Sequence, residues 1–199
     1  VMRGVTPGRY PRGGKVHLRL WLAGRIQEEL AAVSLAGAPF FRWYAKGLGA
    51  DIAKGVDLHS LPPVTGLLRV GPAAAIEPEV DLSGCWIDGD QVHIGEIRVR
   101  ARARVGTRSM LGPGADVDKD AQVAPGSYVT GRSPDGQAWS GAPAHRTGKS
   151  RGPWTPEAPP RAPGYLIGYG LASAVIAAMP GVAGIAGGAV LLAAGRDAT

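Results

Sequence analysis

The sequence predicts an all-β solenoid, a parallel β-helix with three flat faces per turn, and three observations lead to this fold class. Aliphatic residues recur every six positions, small residues precede many of them by two positions, and the chain contains 31 glycines and 17 prolines. A period of six matches neither an α-helix, which repeats every 3.6 residues, nor a half-buried strand, which repeats every two. A triangular coil with six residues on each face produces this period and needs turn residues at its corners.

The repeat occupies two blocks, and we place the solenoid at residues 49–144. The aliphatic positions are Ile52, Leu58, Val64, Val70, Ile76 and Leu82 in the first block, and Val99, Val105, Leu111, Val117, Val123 and Val129 in the second. The positions that precede the second set by two residues are, with one exception, small: Ile97, Ala103, Ser109, Ala115, Ala121 and Ser127. The spacing slips between the blocks, so we expect a loop or irregular corner at residues 83–92.

Two segments precede the solenoid. Residues 1–15 place basic side chains among glycines and prolines, which predicts a flexible basic tail. Residues 16–48 carry apolar residues at helical spacing and then an aromatic cluster, which predicts a helical cap. The cap could cover the open end of the solenoid, as terminal repeats require. Its Trp and Tyr side chains are equally typical of a membrane interface, and both interpretations stay open.

The C-terminal part predicts a membrane-spanning segment at residues 164–196. Residues 165–195 contain no charged side chain, and this length exceeds the ~20 residues that cross a bilayer as a helix. Pro180 is compatible with one kinked helix or with a helical hairpin. A basic, proline-rich linker at residues 145–163 comes before the segment, and its positive charge predicts that the solenoid lies on the cytoplasmic side of the membrane.

The cysteine content and the charge pattern argue against several kinds of site. The single cysteine, Cys85, excludes an internal disulfide and a Cys-rich zinc site. The net charge of +6 could indicate a nucleic-acid partner. However, three arginines (Arg98, Arg100 and Arg102) each precede an aspartate (Asp116, Asp118 and Asp120) by one full turn of the coil. We therefore predict a ladder of ion pairs on one face, with no nucleic acid bound.

His59 is the first candidate catalytic residue. It follows the inward Leu58 and should point outward, and Glu77 occupies the equivalent position on the next turn. An imidazole beside a carboxylate on a rigid, exposed face suits a general base with an orienting partner. His93 is the second candidate, as a substrate contact. Its position in the six-residue frame points it inward, whereas strand alternation with its neighbours points it outward.

An acidic stretch surrounds both histidines. Residues 76–97 contain no Lys or Arg, and an acidic pocket suits a cationic acceptor such as a lysine amine. The candidate substrate-binding carboxylates are Asp57, Glu79, Asp81, Asp88 and Asp90. A bound metal is not expected, because only two histidines lie on the repeat and a catalytic zinc commonly uses three protein ligands.

Three motifs carry a family resemblance: residues 57–66 (DLHSLPPVTG), 76–84 (IEPEVDLSG) and 86–90 (WIDGD). They are similar to the carboxy-terminal membrane-associated domains of ε-poly-L-lysine synthetase-like nonribosomal peptide synthetases, over roughly residues 16–195. The repeat itself resembles the left-handed β-helix of hexapeptide-repeat acyltransferases. The resemblance implies amide-bond formation between a carrier-bound aminoacyl thioester and a lysine-type amine, with His59 as the base and Glu77 as its orienting partner.

The resemblance also implies the donor and the partners. Residues 139–144 (WSGAPA) are similar to the segment that closes the β-helix near the pantetheine arm in those acyltransferases, so Trp139 is a candidate substrate contact. The thioester would arrive on the phosphopantetheine of a carrier protein, with no cofactor bound permanently. Related β-helices trimerise, which implies a homotrimer or a pseudo-trimer of related domains. A stand-alone coenzyme A-dependent acyltransferase and a non-catalytic membrane scaffold for carrier modules stay open as alternatives.

Overall fold

The computed structural model describes residues 2, 4–29, 41–152 and 163–196. The chain divides into two compact units, Val1–Ala158 and Pro159–Thr199. The first unit contains a parallel β-solenoid of about five turns, which confirms the predicted fold class. In chain order the elements are β1 (Gly8–Pro11), α1 (Lys15–Glu29), α2 (Phe41–Leu48), β2 (Asp51–Ile52), β3 (Asp57–Leu58), β4 (Leu68–Val70), β5 (Ala75–Ile76), β6 (Cys85–Asp88), β7 (Gln91–Ile94), β8 (Ile97–Val99), β9 (Arg104–Val105), β10 (Met110–Leu111), β11 (Asp116–Val117), β12 (Gln122–Val123), β13 (Tyr128–Val129), β14 (Arg132–Ser133), β15 (Gln137–Ser140), β16 (His145–Lys149) and α3 (Pro163–Arg196).

The strands of the solenoid form three faces. The ladder face is the stack β2, β4, β8, β11 and β14, and the histidine face is the stack β3, β5, β9, β12 and β15, to which β16 is added. The third face pairs β10 with β13 and includes a bridge between Asp81 and Met110. Because neighbouring strands in each stack are parallel, residues of successive turns lie directly beside one another.

The six-residue repeat forms the core because it supplies one inward aliphatic side chain to each face of each turn. All twelve predicted aliphatic positions are buried, and so are the six residues that precede the second set by two positions. Asp57 pairs with Ala75, which lies one regular turn further along the chain. Ala75 in turn pairs with Arg104, and the chain between these two is longer than a regular turn. The extra residues therefore leave the coil at one corner without shifting its register.

The extra residues form a β-hairpin rather than the predicted loop. Strands β6 and β7 pair antiparallel around a turn at Gly89 and Asp90, and β1 pairs with the other edge of β7. The prediction of a flexible tail is therefore wrong at β1. An exposed strand edge offers unpaired backbone N–H and C=O groups, and β1 satisfies those of β7.

The two N-terminal helices differ in burial. Phe41 and Ala45 of α2 belong to the hydrophobic core, and Tyr44 packs against it, so this helix lies over one end of the solenoid. None of the residues of α1, all of which the structure describes, is fully buried. Residues 30–40 of the predicted cap lie outside the described residues.

The C-terminal elements also differ in part from the prediction. Strand β16 pairs antiparallel with β15, so residues 145–149 belong to the sheet and not to a linker. Residues 153–162 of that predicted linker lie outside the described residues. Helix α3 is continuous past Pro180, so the helical hairpin is not formed. Its segment Ile167–Gly188 is long and apolar enough to cross a membrane, judged by length and composition.

Candidate active site

His59 and Asp57 form a close pair on the histidine face. They flank the buried Leu58, Asp57 on β3 and His59 directly after it, so both side chains leave the coil on the same side. The Nε2 atom of His59 lies 2.9 Å from Oδ1 of Asp57, and the His59 side chain is 38% exposed. When the proton of a neutral imidazole is on Nε2, facing this carboxylate, the lone pair resides on Nδ1 and is available to a general base.

Glu77 is not the carboxylate that orients His59. The two residues do occupy adjacent turns of the same face, since His59 N–H donates to the carbonyl oxygen of Ile76 over 3.0 Å. However, Oε2 of Glu77 accepts a hydrogen bond of 2.8 Å from the backbone N–H of Thr107, on the next turn. The predicted His59–Glu77 pair is therefore wrong, because the backbone amide at Thr107 takes the Glu77 carboxylate and Asp57 lies closer to the imidazole.

The predicted acidic stretch is partly neutralised by arginines from other turns. Arg108 Nε donates to Oε2 of Glu79 over 2.6 Å, and Glu96 accepts hydrogen bonds from Arg69 and Arg98. Asp81 Oδ1 accepts a 2.8 Å hydrogen bond from Ser83 N–H. The sequence stretch contains no cation, but the coil brings cations to it from neighbouring turns and from its own C-terminal edge.

The hairpin holds His93 and the two remaining acidic candidates. His93 lies on β7 opposite Trp86, and the two rings meet edge to face with centroids 5.7 Å apart. Val92 and Ile94 are buried, so strand alternation turns His93 to the other side. Asp88 and Asp90 are exposed at the tip. The structure thus places His93 in an antiparallel sheet, separate from the parallel strands that carry His59.

Cys85 begins the hairpin and is partly buried. Burial raises the pKa of its thiol, which disfavours the thiolate that nucleophilic chemistry requires. This position does not favour Cys85 as a nucleophile.

Trp139 lies on the same face as His59 but near the opposite end of the stack. It lines a cavity of about 430 Å³ together with Gln122, Lys149 and Arg151. Within the described part of the chain its indole Nε1 is buried and has no hydrogen-bond partner. Strands β3 and β15 are four steps apart in the stack, so about 19 Å separates them at the usual spacing of ~4.8 Å.

The ladder face shows how arginines and aspartates of successive turns pair. Arg98 lies beside Asp116 in register, as predicted, and Arg102 binds Asp120 through two hydrogen bonds of 2.7 Å. Arg100 makes the predicted ion pair with Asp118 at 3.5 Å, but its hydrogen bonds, of 2.9 and 2.7 Å, are to Asp116. Arg98 differs from the prediction, because its side chain binds Glu96 on its own turn. Arg132 of the next turn then takes Asp118.

A comparison with curated proteins identifies one similar sequence. Over 151 residues the chain is 28% identical to delta-poly-L-ornithine synthetase of Acinetobacter baumannii (strain AB307-0294). The match covers 74% of this chain and 11% of that protein, so the chain spans about a tenth of the relative's length. No protein-family model matches the chain.

Acetyltransferases are among the solved structures that a comparison finds similar to this chain. A maltose O-acetyltransferase from Clostridium difficile is 13% identical with a TM-score of 0.49, over 73% of this chain and 94% of that one. A hexapeptide-repeat acetyltransferase from Vibrio cholerae, complexed with acetyl coenzyme A, is 14% identical with a TM-score of 0.46, over 70% and 91%. A galactoside acetyltransferase in complex with coenzyme A is 12% identical with a TM-score of 0.47, over 72% and 86%.

Proposed function

We propose that this chain is an acyltransferase domain that forms an amide bond between an aminoacyl thioester and an amine. The observation that carries the proposal is the His59–Asp57 pair, 2.9 Å apart and open to solvent on a rigid parallel sheet. The similarity to a poly-ornithine synthetase supports the same reaction class, because a polymer of an amino acid is built by repeated amide formation.

In the proposed reaction, the acceptor nitrogen attacks the thioester carbonyl carbon and forms the new C–N bond. Nδ1 of His59 removes a proton from this nitrogen, while Asp57 accepts the Nε2–H and stabilises the imidazolium that results. The tetrahedral intermediate then collapses, the C–S bond breaks, and the same imidazolium returns its proton to the departing sulfur. The products are the amide and the free thiol, with His59 restored to its neutral form.

The cavity beside Trp139 is the proposed site for the arm that carries the thioester. Lys149 and Arg151 line it, and they would favour the phosphate of phosphopantetheine. An extended arm lying along the stack would carry the acyl group toward His59. Coenzyme A offers the same chemistry as a carrier-bound arm, so a free coenzyme A thioester is the alternative donor.

The proposed acceptor is a cationic amine such as lysine. Asp88 and Asp90 expose their carboxylates at the tip of the hairpin, and His93 lies on the same hairpin. Carboxylates in this position would attract and orient a second positive charge on the acceptor. Glu79 and Asp81 would contribute less, since Arg108 and the Ser83 amide already engage them.

We further propose that α3 anchors the domain in a membrane with the solenoid on the cytoplasmic side, where the basic residues before the helix favour it. Association into a homotrimer, or with related domains as a pseudo-trimer, is proposed from the family resemblance. Sedimentation of the detergent-solubilised chain tests the homotrimer, and a monomeric mass at all concentrations would contradict it.

The reaction is tested with the full chain in detergent, lysine as the acceptor, and lysyl thioesters of pantetheine, of coenzyme A and of a loaded carrier protein as donors. His59→Ala should lower amide formation by a factor of about 10²–10⁴, which is the usual contribution of a general base. His17→Ala is the matched control, because this imidazole lies on α1, where Nδ1 accepts a hydrogen bond from Gly13 N–H. Full activity of His59→Ala would reject His59 as the general base, whereas amide formation by the wild-type chain no faster than in the absence of protein would favour a scaffold.

The three donors distinguish the source of the thioester. Turnover of the carrier-bound donor well above that of the coenzyme A thioester would support a role in nonribosomal peptide synthesis. The reverse preference would identify a coenzyme A-dependent acyltransferase.

A further inference from the structure

Helix α1 has one side that faces the solenoid and one that does not. On the inner side, Nε2 of Gln27 donates hydrogen bonds to the Tyr44 hydroxyl (3.2 Å) and to the Pro62 carbonyl (3.0 Å). Leu20 and Gly24 lie on the same side, where they line a cavity of about 370 Å³ against the solenoid. These contacts fix which side of the helix points away from the protein.

The outward side carries an apolar stripe, formed by Leu18, Trp21, Leu22 and Ile26. Each of these side chains is between 51% and 62% exposed. They follow the three- and four-residue spacing of a single helix face. A contiguous set of large apolar side chains left in water is costly, and such patches mark interaction surfaces.

Basic side chains border the stripe and indicate the charge of its partner. Lys15 and Arg19 are exposed in the first two turns, at the N-terminal end of the stripe. Arg25 and the acidic Glu29 are exposed on the same side of the helix as the stripe, near its C-terminal end, and Glu28 lies beside them. Arg25 pairs with Glu28 over 2.6 Å, so the N-terminal half of the helix keeps the excess of positive charge. An apolar stripe flanked by Lys and Arg is complementary to an anionic lipid surface.

A second exposed tryptophan strengthens this assignment. Trp43 of α2 is 59% exposed, with the guanidinium carbon of Arg42 5.8 Å from its ring centroid. Tryptophans with a basic neighbour are typical of the level of lipid headgroups. The same chain contains a helix of membrane-spanning length, and a tether of that kind raises the effective concentration of the lipid surface around the solenoid.

We propose that α1 lies on the surface of an anionic membrane, with the stripe inserted among the acyl chains and Lys15 and Arg19 at the headgroups. The solenoid is then held by two attachments, the spanning segment of α3 and the flat contact of α1. This inference concerns an interaction surface and does not depend on the catalytic proposal.

The test measures the depth of a spin label on the full chain reconstituted in vesicles of equal parts phosphatidylcholine and phosphatidylglycerol. Leu22→Cys, in a Cys85→Ser background, places the label on the stripe. Ile87→Cys in the same background is the matched control, because Ile87 is similarly exposed (50%) but lies on the hairpin. Flotation of the vesicles first establishes that each labelled chain is bound, and failure of the chain to float would overturn the proposal.

At Leu22 the label should collide severalfold more often with oxygen, which concentrates in lipid, than with a water-soluble nickel chelate, and at Ile87 the order should be reversed. In the double variant Lys15→Glu, Arg19→Glu, the affinity of α1 for the anionic membrane surface should fall at least about fivefold for each cation that is lost. A Leu22 label shielded from both reagents would identify a protein partner instead, and a label open to the nickel chelate would mean that the stripe stays in water. Either result overturns the proposal.

Discussion

The ladder face and the histidine face are built from the same repeat, yet they use charge in opposite ways. On the ladder face Asp116, Asp118 and Asp120 each bind a guanidinium from a neighbouring part of the coil. On the histidine face Asp57 binds only an imidazole among the partners that the described residues provide, and both side chains remain accessible. Charges that neutralise one another hold adjacent turns in place, whereas a carboxylate that supports a histidine leaves that histidine available for proton transfer.

Both faces nevertheless need a glycine directly after a strand, where the backbones of two turns come close together. Replacing this glycine should have the largest effect on stability. A Cβ atom at Gly71, after a ladder-face strand, would lie 2.6 Å from the backbone nitrogen of Ala101. A Cβ at Gly106, after a histidine-face strand, would lie 2.6 Å from the nitrogen of Pro125. Backbone atoms cannot rotate away, so Gly71→Ala and Gly106→Ala should each lower the free energy of unfolding by about 3 kcal/mol.

Thermal unfolding of both variants checks this prediction, with Gly24→Ala as the control. Gly24 lies in α1, where no atom beyond the adjacent residues and the backbone of the helix itself stands within 4 Å of the position that a Cβ would take, and alanine favours a helix over glycine. A midpoint unchanged in Gly71→Ala or Gly106→Ala would show that the turns are not in close contact at that face.

The second prediction separates the faces by activity. Asp57→Asn removes the charge of the carboxylate beside Nε2 of His59 but leaves the imidazole in place. In the proposed reaction this carboxylate stabilises the imidazolium, and a hydrogen bond to a charged group contributes about 1.5 kcal/mol or more, which corresponds to roughly tenfold or more in rate. Amide formation should therefore fall by at least this factor while the unfolding midpoint is unchanged. Glu77→Gln, measured in the same assay, should have the smaller effect on rate, and the opposite order would restore Glu77 as the orienting group.

The third prediction is the converse, a loss of stability with activity retained. The Asp118 side chain is only 9% exposed and accepts hydrogen bonds of 3.0 and 2.6 Å from Arg132. Asp118→Ala should lower the free energy of unfolding by about 1 kcal/mol, since the exposed arginine regains its hydration. The rate per folded molecule should stay at the wild-type value. Equal losses of rate in Asp118→Ala and Asp57→Asn would mean that the two faces are not functionally distinct.

The smallest expected effect is a dependence of stability on pH that belongs to the ladder face. The hydrogen bonds from Arg100 and Arg102 lower the pKa values of Asp116 and Asp120 respectively. A carboxylate with a lowered pKa in the folded state stabilises the fold fully above its ordinary pKa of about 4. This contribution disappears as the pH falls further, through the lowered folded-state values.

Unfolding midpoints measured from pH 6 to pH 2 should therefore drop below pH 4, and the drop should be shallower in the double variant Asp116→Asn, Asp120→Asn. Asp57→Asn provides the comparison from the histidine face. The same acid dependence in the double variant and in wild type would assign the effect to other carboxylates.

The sequence predicts the coil well because the inward positions have only one way to be buried. Val99, Val105 and Leu111 recur at a period of six, and a coil with this period places all of them inside. The hairpin is not predicted because its residues interrupt the six-residue repeat and do not follow that period. The sequence does contain a local signal for the hairpin. Gly89 and Asp90 separate the two short segments that form β6 and β7, and a two-residue loop with glycine typically connects the strands of a hairpin.

The partner of His59 is harder to predict than its position. Register places Glu77 one turn from His59, but register fixes backbone atoms, and a long carboxylate side chain has a choice of donors. Thr107 N–H is distant from Glu77 in sequence, yet it lies on the next turn because the hairpin lengthens the chain between them without displacing that turn. Whether Asp57 or Glu77 lies beside His59 therefore depends on the hydrogen bond between Glu77 and Thr107. The six-residue repeat does not predict this contact, because the hairpin makes the number of residues between the two turns irregular.

The hairpin leaves the solenoid at a corner, and the pairing before and after it stays in register. A fold with this property separates the residues that build the stacked turns from those that project at the corner. Changes at the exposed tip, at Asp88 and Asp90, therefore leave the register of the parallel strands intact. If the hairpin binds the acceptor as proposed, the acceptor preference can change at this tip while every aliphatic position inside the coil is retained.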